Sequence, residues 1–135
     1  MKEKGSDWLR GEISKHQAWI ARITSVEITA ALAKRLRMGD ISDFEFYRAR
    51  RKFLFGMRQK TYQAVELNQR IVNLAERLTF NRNLRAYDAV QLATALEVAK
   101  QTDSTRLRFI VSDERLEVAA QAEGLQTDNP LHHPL

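Results

Sequence analysis

The first part of the chain combines one short apolar run with a helical repeat. Ser6 is a capping residue that predicts a short helix to about Ser14, and the β-branched and aromatic run from Trp19 to Thr24 predicts a strand. Ser25 then opens a helix that we expect to end at Gly39. The apolar residues that recur at helical spacing in this segment are Val26, Ala30, Ala33 and Leu36.

Two polar caps mark further helix starts. Ser42 and Glu45 have the spacing of a capping box, which predicts a strongly basic helix to about Arg58. A short strand is expected over Tyr62–Leu67, and Asn68 then caps a helix over Gln69–Leu78. One face of that helix carries Ile71, Leu74, Ala75 and Leu78.

The last third of the chain repeats the alternation of helices and strands. A loop over Thr79–Asn83 leads to the Ala-rich segment Leu84–Lys100, which is apolar on most sides and should be buried. The remaining predicted elements are a strand at Phe109–Val111, a helix over Arg115–Glu123 closed by Gly124, and a strand at Leu125–Asp128. Strands separated by helices predict a parallel sheet with right-handed crossovers, so the fold class is α/β.

Composition limits the function classes. The chain has 135 residues, 44% of them hydrophobic, which favours a single domain over residues 1–135. It has no cysteine, which excludes disulfides and thiolate metal sites. No apolar stretch approaches the ~20 residues of a membrane span, and no apolar h-region follows the charged N-terminus, so we expect a cytoplasmic protein.

The positive charge is local. The formal net charge is +5, and the segment from Lys34 to Lys60 contains nine basic and three acidic residues. Such a surface attracts polyanions such as RNA or an acidic protein, although a solvated helix face has the same composition. The candidate binding residues are Arg48, Arg50, Arg51, Lys52 and Arg58.

Two acidic residues follow predicted strands. Glu27 comes after the strand that is expected to end at Thr24, and Asp113 comes after the strand that ends at Val111. In an open parallel sheet, functional groups gather at the carboxyl ends of the strands. The alternative for each is structural, because acids are favoured in the first turn of a helix and Asp113 has the position of an N-cap.

A third acidic residue, Asp88, needs a partner because it lies in one of the most apolar segments of the chain. A salt bridge to Arg85 or the positive end of the helix dipole would provide it. The alternative is a hard cation such as Mg²⁺ or Mn²⁺, which binds oxygen ligands and would neutralise several converging carboxylates.

Three segments around these acids resemble the PIN-domain family, in particular VapC-type ribonuclease toxins of type II toxin–antitoxin systems. They are Ile23–Leu32 around Glu27, Leu84–Leu96 around Asp88, and Phe109–Leu116 around Asp113, followed by Ala119-Ala120 and Glu123-Gly124-Leu125. The middle segment is the most specific. The order and spacing of the three also match the family.

The resemblance implies a three-layer α/β/α fold with a central parallel sheet and metal-dependent hydrolysis of RNA phosphodiesters. Glu27, Asp88 and Asp113 match the second, third and fourth acids of a quartet that binds Mg²⁺ or Mn²⁺. The first acid ends an N-terminal strand that nothing here matches, because Gly5–Leu9 resembles the segment that follows it. The resemblance also implies a cognate antitoxin and a homodimer. An inactive remnant that binds antitoxin or dimerises is the alternative.

Other candidate chemistry is weaker. His132 and His133 are adjacent residues in a Pro-bounded tail, which is poor support for a metal site, and we assign them no role. Ser25 and Ser112 have no nearby histidine to activate them, so both are interpreted as helix-capping residues.

Overall fold

A computed structural model describes residues 5–59, 61–103 and 106–133. The described residues form six α-helices, four short strands and one 3₁₀ turn, so the α/β class is confirmed. The chain divides into two compact units. We call Gln17–Glu66 the inserted unit, and Met1–His16 together with Leu67–Leu135 the terminal unit.

The inserted unit is a parallel strand pair with two intervening helices. Its elements are β1 (Ala18–Ala21), α1 (Thr24–Arg37), α2 (Asp43–Arg58) and β2 (Tyr62–Val65). The strands pair in register from Ala18 opposite Tyr62 to Ala21 opposite Val65. Helix α2 packs on β2, where the ring of Phe53 stacks on Tyr62 with centroids 5.8 Å apart.

Local capping shapes both helices of this unit. Helix α1 ends in a Schellman motif, in which the N–H groups of Gly39 and Asp40 donate to the carbonyls of Leu36 and Arg35 and Gly39 has a φ of +79°. The predicted capping box is also confirmed, since Ser42 Oγ accepts from the N–H of Glu45 and the Glu45 carboxylate accepts from the N–H of Ser42. The basic helix therefore begins and ends where the sequence predicts.

The terminal unit contains the remaining elements. The N-terminal helix, which we call αN, spans Ser6–Lys15, and the others are α3 (Gln69–Asn81), α4 (Ala86–Gln101), β3 (Arg108–Ile110), α5 (Glu114–Ala122), β4 (Gln126–Asp128) and a 3₁₀ turn at Pro130–His132. Strands β3 and β4 are parallel, with α5 as their connection.

The core of the terminal unit lies where α3 packs on α4. Ile71, Leu78 and Leu92 are its largest fully buried side chains, and the predicted burial of the Ala-rich helix is confirmed. The buried acid of this helix is Glu97, whose carboxylate lies 3.2 Å from the guanidinium of Arg70 on α3. The predicted cap of α3 is also present, because Asn68 Oδ1 accepts from the N–H of Ile71.

Several predicted boundaries differ from the structure. Strand β1 ends at Ala21 rather than Thr24. The chain turns tightly after it, because Ile23 has helical dihedral angles and the hydroxyl of Ser25 donates to the carbonyl of Arg22. Val26 and Ala30, which belong to the apolar repeat of this helix, are exposed. The N-cap of αN is Gly5 rather than Ser6. Helix α3 continues through the predicted loop to Asn81.

The strand arrangement also differs from the expected single central sheet. The described strands form two separate parallel pairs, β1 with β2 in the inserted unit and β3 with β4 in the terminal unit. Each pair packs against a helix of its own unit, α2 on β2 and α5 on β4. No helix within the described ranges is long and apolar enough to cross a membrane.

Candidate functional site

Asp113 is the N-cap of α5, as one of its two sequence interpretations predicted. Its Oδ1 accepts the N–H groups of Arg115 and Leu116, at 2.8 and 3.2 Å. Arg115 is fixed in turn, because its guanidinium donates to the carbonyl of Asn83 at 2.9 Å. Asp113 is exposed, so capping occupies one carboxylate oxygen while the side chain as a whole remains accessible.

Asp88 and Glu27 also lie in the first turns of helices. Asp88 is the third residue of α4 and half-buried, in the position where the helix dipole favours a negative charge. Glu27 is the fourth residue of α1 and exposed. Asp88 and Asp113 belong to the terminal unit and Glu27 to the inserted unit.

A cation site needs several oxygen ligands arranged around one point. Across residues 5–59, 61–103 and 106–133, no group of three or more His, Asp or Glu side chains is arranged to hold a metal ion. We therefore derive no reaction step through a metal. Binding of Mg²⁺ or Mn²⁺ by Glu27, Asp88 and Asp113 stays a prediction.

The inserted unit contains an open cleft that is rich in arginine. Its volume is ≈ 560 Å³, and Arg22, Arg50, Arg51 and Arg58 line it. Arg22 is held by Glu66, whose Oε1 lies 2.9 Å from both Nε and a terminal nitrogen of the guanidinium. Arg50, Arg51 and Arg58 are exposed and make no ion pair with any residue in the described part of the chain. We call this feature the arginine cleft.

Less polar side chains complete the arginine cleft. Tyr47, Leu54 and Met57 line it together with Ser25. Leu54 and Met57 are half-buried, whereas Tyr47 is 61% exposed. The ring of Tyr47 meets that of its neighbour Phe46 edge-on, with centroids 5.0 Å apart. The cleft thus places apolar side chains and an aromatic ring beside exposed positive charges.

The sequence identified only part of this cleft. Three of the five predicted binding residues line the cleft, namely Arg50, Arg51 and Arg58. The other two, Arg48 and Lys52, are exposed on α2 but do not line it. Tyr47 could have been found from its spacing of three, four and seven residues from Arg50, Arg51 and Leu54, which puts all four on one side of a helix. Arg22 comes from the end of β1, which no local pattern connects with α2.

A second polar cluster lies in the terminal unit, and sequence reasoning missed it. The guanidinium of Arg108 donates to Glu12 at 2.7 Å and to Asp128 at 3.1 Å. Nε2 of His133 lies 2.9 Å from the other oxygen of Asp128, and the imidazole stacks on Trp8 with ring centroids 4.1 Å apart. His133 therefore has a structural role in attaching αN to the C-terminal segment.

The hydrogen bond to Arg108 lowers the pKa of Glu12. Partial burial opposes ionisation of Asp128, but hydrogen bonds from His133 and the N–H of Asn129 hold its pKa below the ordinary value. Because both pKa values are lower in the folded state, the stability they contribute is present above the ordinary carboxyl range. It is lost as the pH falls through the lowered values.

Arg108→Gln should therefore lower the melting temperature at pH 7 and have progressively less effect as the pH falls from about 4 through the lowered pKa values, where the carboxylates become protonated. Arg106→Gln is the matched control, because Arg106 is 89% exposed and lies 3.9 Å from its partner Asp103. Melting temperatures across this pH range measure the effect. If Arg108→Gln lowered the melting temperature equally at both ends of this pH range, the pairing of Arg108 with Glu12 and Asp128 would not be the source of pH-dependent stability.

Comparison with known proteins was made by family and by sequence. Neither a scan against profiles of protein families nor a search of curated proteins found a match to this chain. The resemblance to PIN domains therefore depends on the three segments around Glu27, Asp88 and Asp113, and family membership stays a prediction.

Proposed function

We propose that this protein is a PIN-like, metal-dependent endoribonuclease, the toxin of a toxin–antitoxin pair, which holds RNA in its arginine cleft. The arginine cleft is the observation that carries the proposal. Four guanidinium groups around one opening attract a phosphate backbone, and three of them form no ion pair with the described residues. The three acid-bearing segments suggest hydrolysis as the reaction.

The acids have distinct roles in this proposal. Asp88 and Asp113 are the ligands of Mg²⁺ or Mn²⁺, and Glu27 assists them. The exposure of Asp113 and Glu27 is compatible with these roles, since both carboxylates are accessible to a ligand. The PIN-like three-layer fold and the first acid of the quartet are part of the same proposal and require a strand ahead of αN.

A specific observation also favours the second candidate, an inactive module that binds an antitoxin or a second copy of the chain. The inserted unit exposes several large apolar side chains, and a contiguous patch of such side chains marks a partner surface. They are Trp19, Val26, Met38, Phe44, Tyr47 and Phe55. An acidic antitoxin segment with apolar side chains would complement this surface, whereas dimerisation would cover it without needing opposite charge.

Measurements of RNA affinity distinguish specific binding in the arginine cleft from attraction by positive charge anywhere on the surface. Arg50→Glu with Arg51→Glu should lower the affinity for an RNA oligonucleotide at least about tenfold, because two phosphate contacts become repulsive. The slope of log K against log salt should also decrease by roughly 1.4, since each contact to a single strand contributes about 0.7. Fluorescence anisotropy at several salt concentrations measures both quantities.

The matched control for this experiment is Arg48→Glu with Lys52→Glu, which changes the net charge equally on the same helix but outside the cleft. We expect a clearly smaller loss of affinity. Circular dichroism should show α2 intact in both variants, since exposed substitutions change stability by less than ~0.5 kcal/mol. Equal losses of RNA affinity in the two variants would show that the cleft contributes no more than the rest of the positively charged surface.

A further inference from the structure

The arginine cleft has a composition that phosphate binding alone does not require. A site for phosphate needs only the guanidinium groups, whereas this cleft also has an apolar floor of Leu54 and Met57 and the ring of Tyr47 at its side. Planar aromatic ligands stack on such rings and contact thioethers favourably. The volume of ≈ 560 Å³ is within the range of small-ligand sites.

We propose that the arginine cleft is a nucleotide subsite that recognises a base together with its phosphate. The base lies against Tyr47, Leu54 and Met57, and Arg50, Arg51 and Arg58 contact the phosphate. The inference rests on the proposed function where the nucleotide belongs to an RNA strand. The same chemistry would also bind a free mononucleotide.

The geometry of α2 supports this division of roles. Tyr47, Arg51, Leu54 and Arg58 follow one another at intervals of three or four residues, so aromatic, apolar and basic side chains alternate along one side of the helix. Arginine also stacks on bases through its planar guanidinium. Arg22 is oriented by Glu66 at the strand end, while the α2 arginines remain available for ligand.

Tyr47→Leu tests the base contact, because it keeps an apolar side chain and removes the ring. Its affinity for an RNA oligonucleotide should fall about tenfold, within the usual range for one stacked base. An abasic oligonucleotide of the same length and charge should bind the wild-type protein more weakly, and Tyr47→Leu should leave that affinity unchanged. Phe44→Leu is the control, because Phe44 is an exposed aromatic residue of α2 that does not line the cleft.

Adenosine monophosphate and inorganic phosphate distinguish the two sources of the ligand. Saturable binding of the mononucleotide, abolished by Tyr47→Leu and not reproduced by phosphate, supports a free nucleotide as ligand. If the oligonucleotide binds with the same dependence on Tyr47 and the mononucleotide does not bind, the ligand is a nucleotide within RNA. In both cases, the base is part of what the cleft recognises.

Equal affinity for intact and abasic oligonucleotides would overturn the inference. If Arg50→Glu with Arg51→Glu still weakened binding, the cleft would be a phosphate site and the proposed RNA binding would stand. If those substitutions left RNA affinity unchanged as well, the proposed function would fail too. The arginine and tyrosine variants therefore separate the two failures.

Discussion

Metal-dependent RNA cleavage is expected when an apolar strand that ends in Asp is joined ahead of Met1. The resemblance implies a quartet of acids for the reaction, and Glu27, Asp88 and Asp113 match three of them. The described strands form two separate pairs, and the outer edge of a strand pair is where a further strand can add. Losing one member of such a cluster should cost several kcal/mol of metal or transition-state stabilisation, about 10²- to 10³-fold or more in rate.

Two matched variants separate the scaffold from the chemistry in this experiment. The same added strand ending in Asn should raise the melting temperature as much as the strand ending in Asp but should give no cleavage. Asp88→Asn in the Asp-terminated protein should abolish cleavage while retaining RNA binding. Cleavage of a labelled RNA with Mg²⁺, with Mn²⁺ and with EDTA provides the measurement.

The contrary result is also informative. If the Asp-terminated strand stabilises the protein and RNA remains intact with either metal, the nuclease proposal is wrong. The inactive binding module would then be the better account. A pull-down with an acidic antitoxin peptide and measurement of the oligomeric state would next distinguish the two partners proposed for the exposed apolar surface.

Gly5→Ala, at the N-cap of αN, should lower the stability of the protein strongly. Gly5 is buried, has a φ of +87°, and a Cβ there would overlap the backbone carbonyl of Pro130. The left-handed conformation and the overlap together should cost about 2 to 5 kcal/mol in the free energy of unfolding. The substitution should therefore separate αN from the C-terminal 3₁₀ turn.

Gly11→Ala is the matched control in the same helix, because a Cβ at Gly11 meets no atom within 4 Å. It should increase stability by ~0.5 to 1 kcal/mol, since alanine is the better helix former. Thermal unfolding compares the two variants, and the fluorescence of Trp8 should report loss of its stacking on His133 in Gly5→Ala alone. Similar melting temperatures for both variants would show that the contact with Pro130 contributes little.

The sequence by itself determined the features that depend on residues close together along the chain. Ser42 with Glu45, Asn68, Gly39 and Gly124 mark helix ends through hydrogen bonds that span only a few residues, and the structure has each of these ends. The apolar face of α3 and the burial of α4 follow from helical periodicity in the same way. Asp113 likewise acts as the N-cap that its position allowed.

The tertiary structure decided the features that join distant segments. Gly5 rather than Ser6 is the N-cap of αN because the chain passes close to Pro130. Arg108 pairs with Glu12 from 96 residues away, and Arg22, which directly follows β1, lines a cleft with arginines of α2. Long-range packing fixes these neighbours, while a local pattern specifies only which side of its own helix or strand a residue occupies.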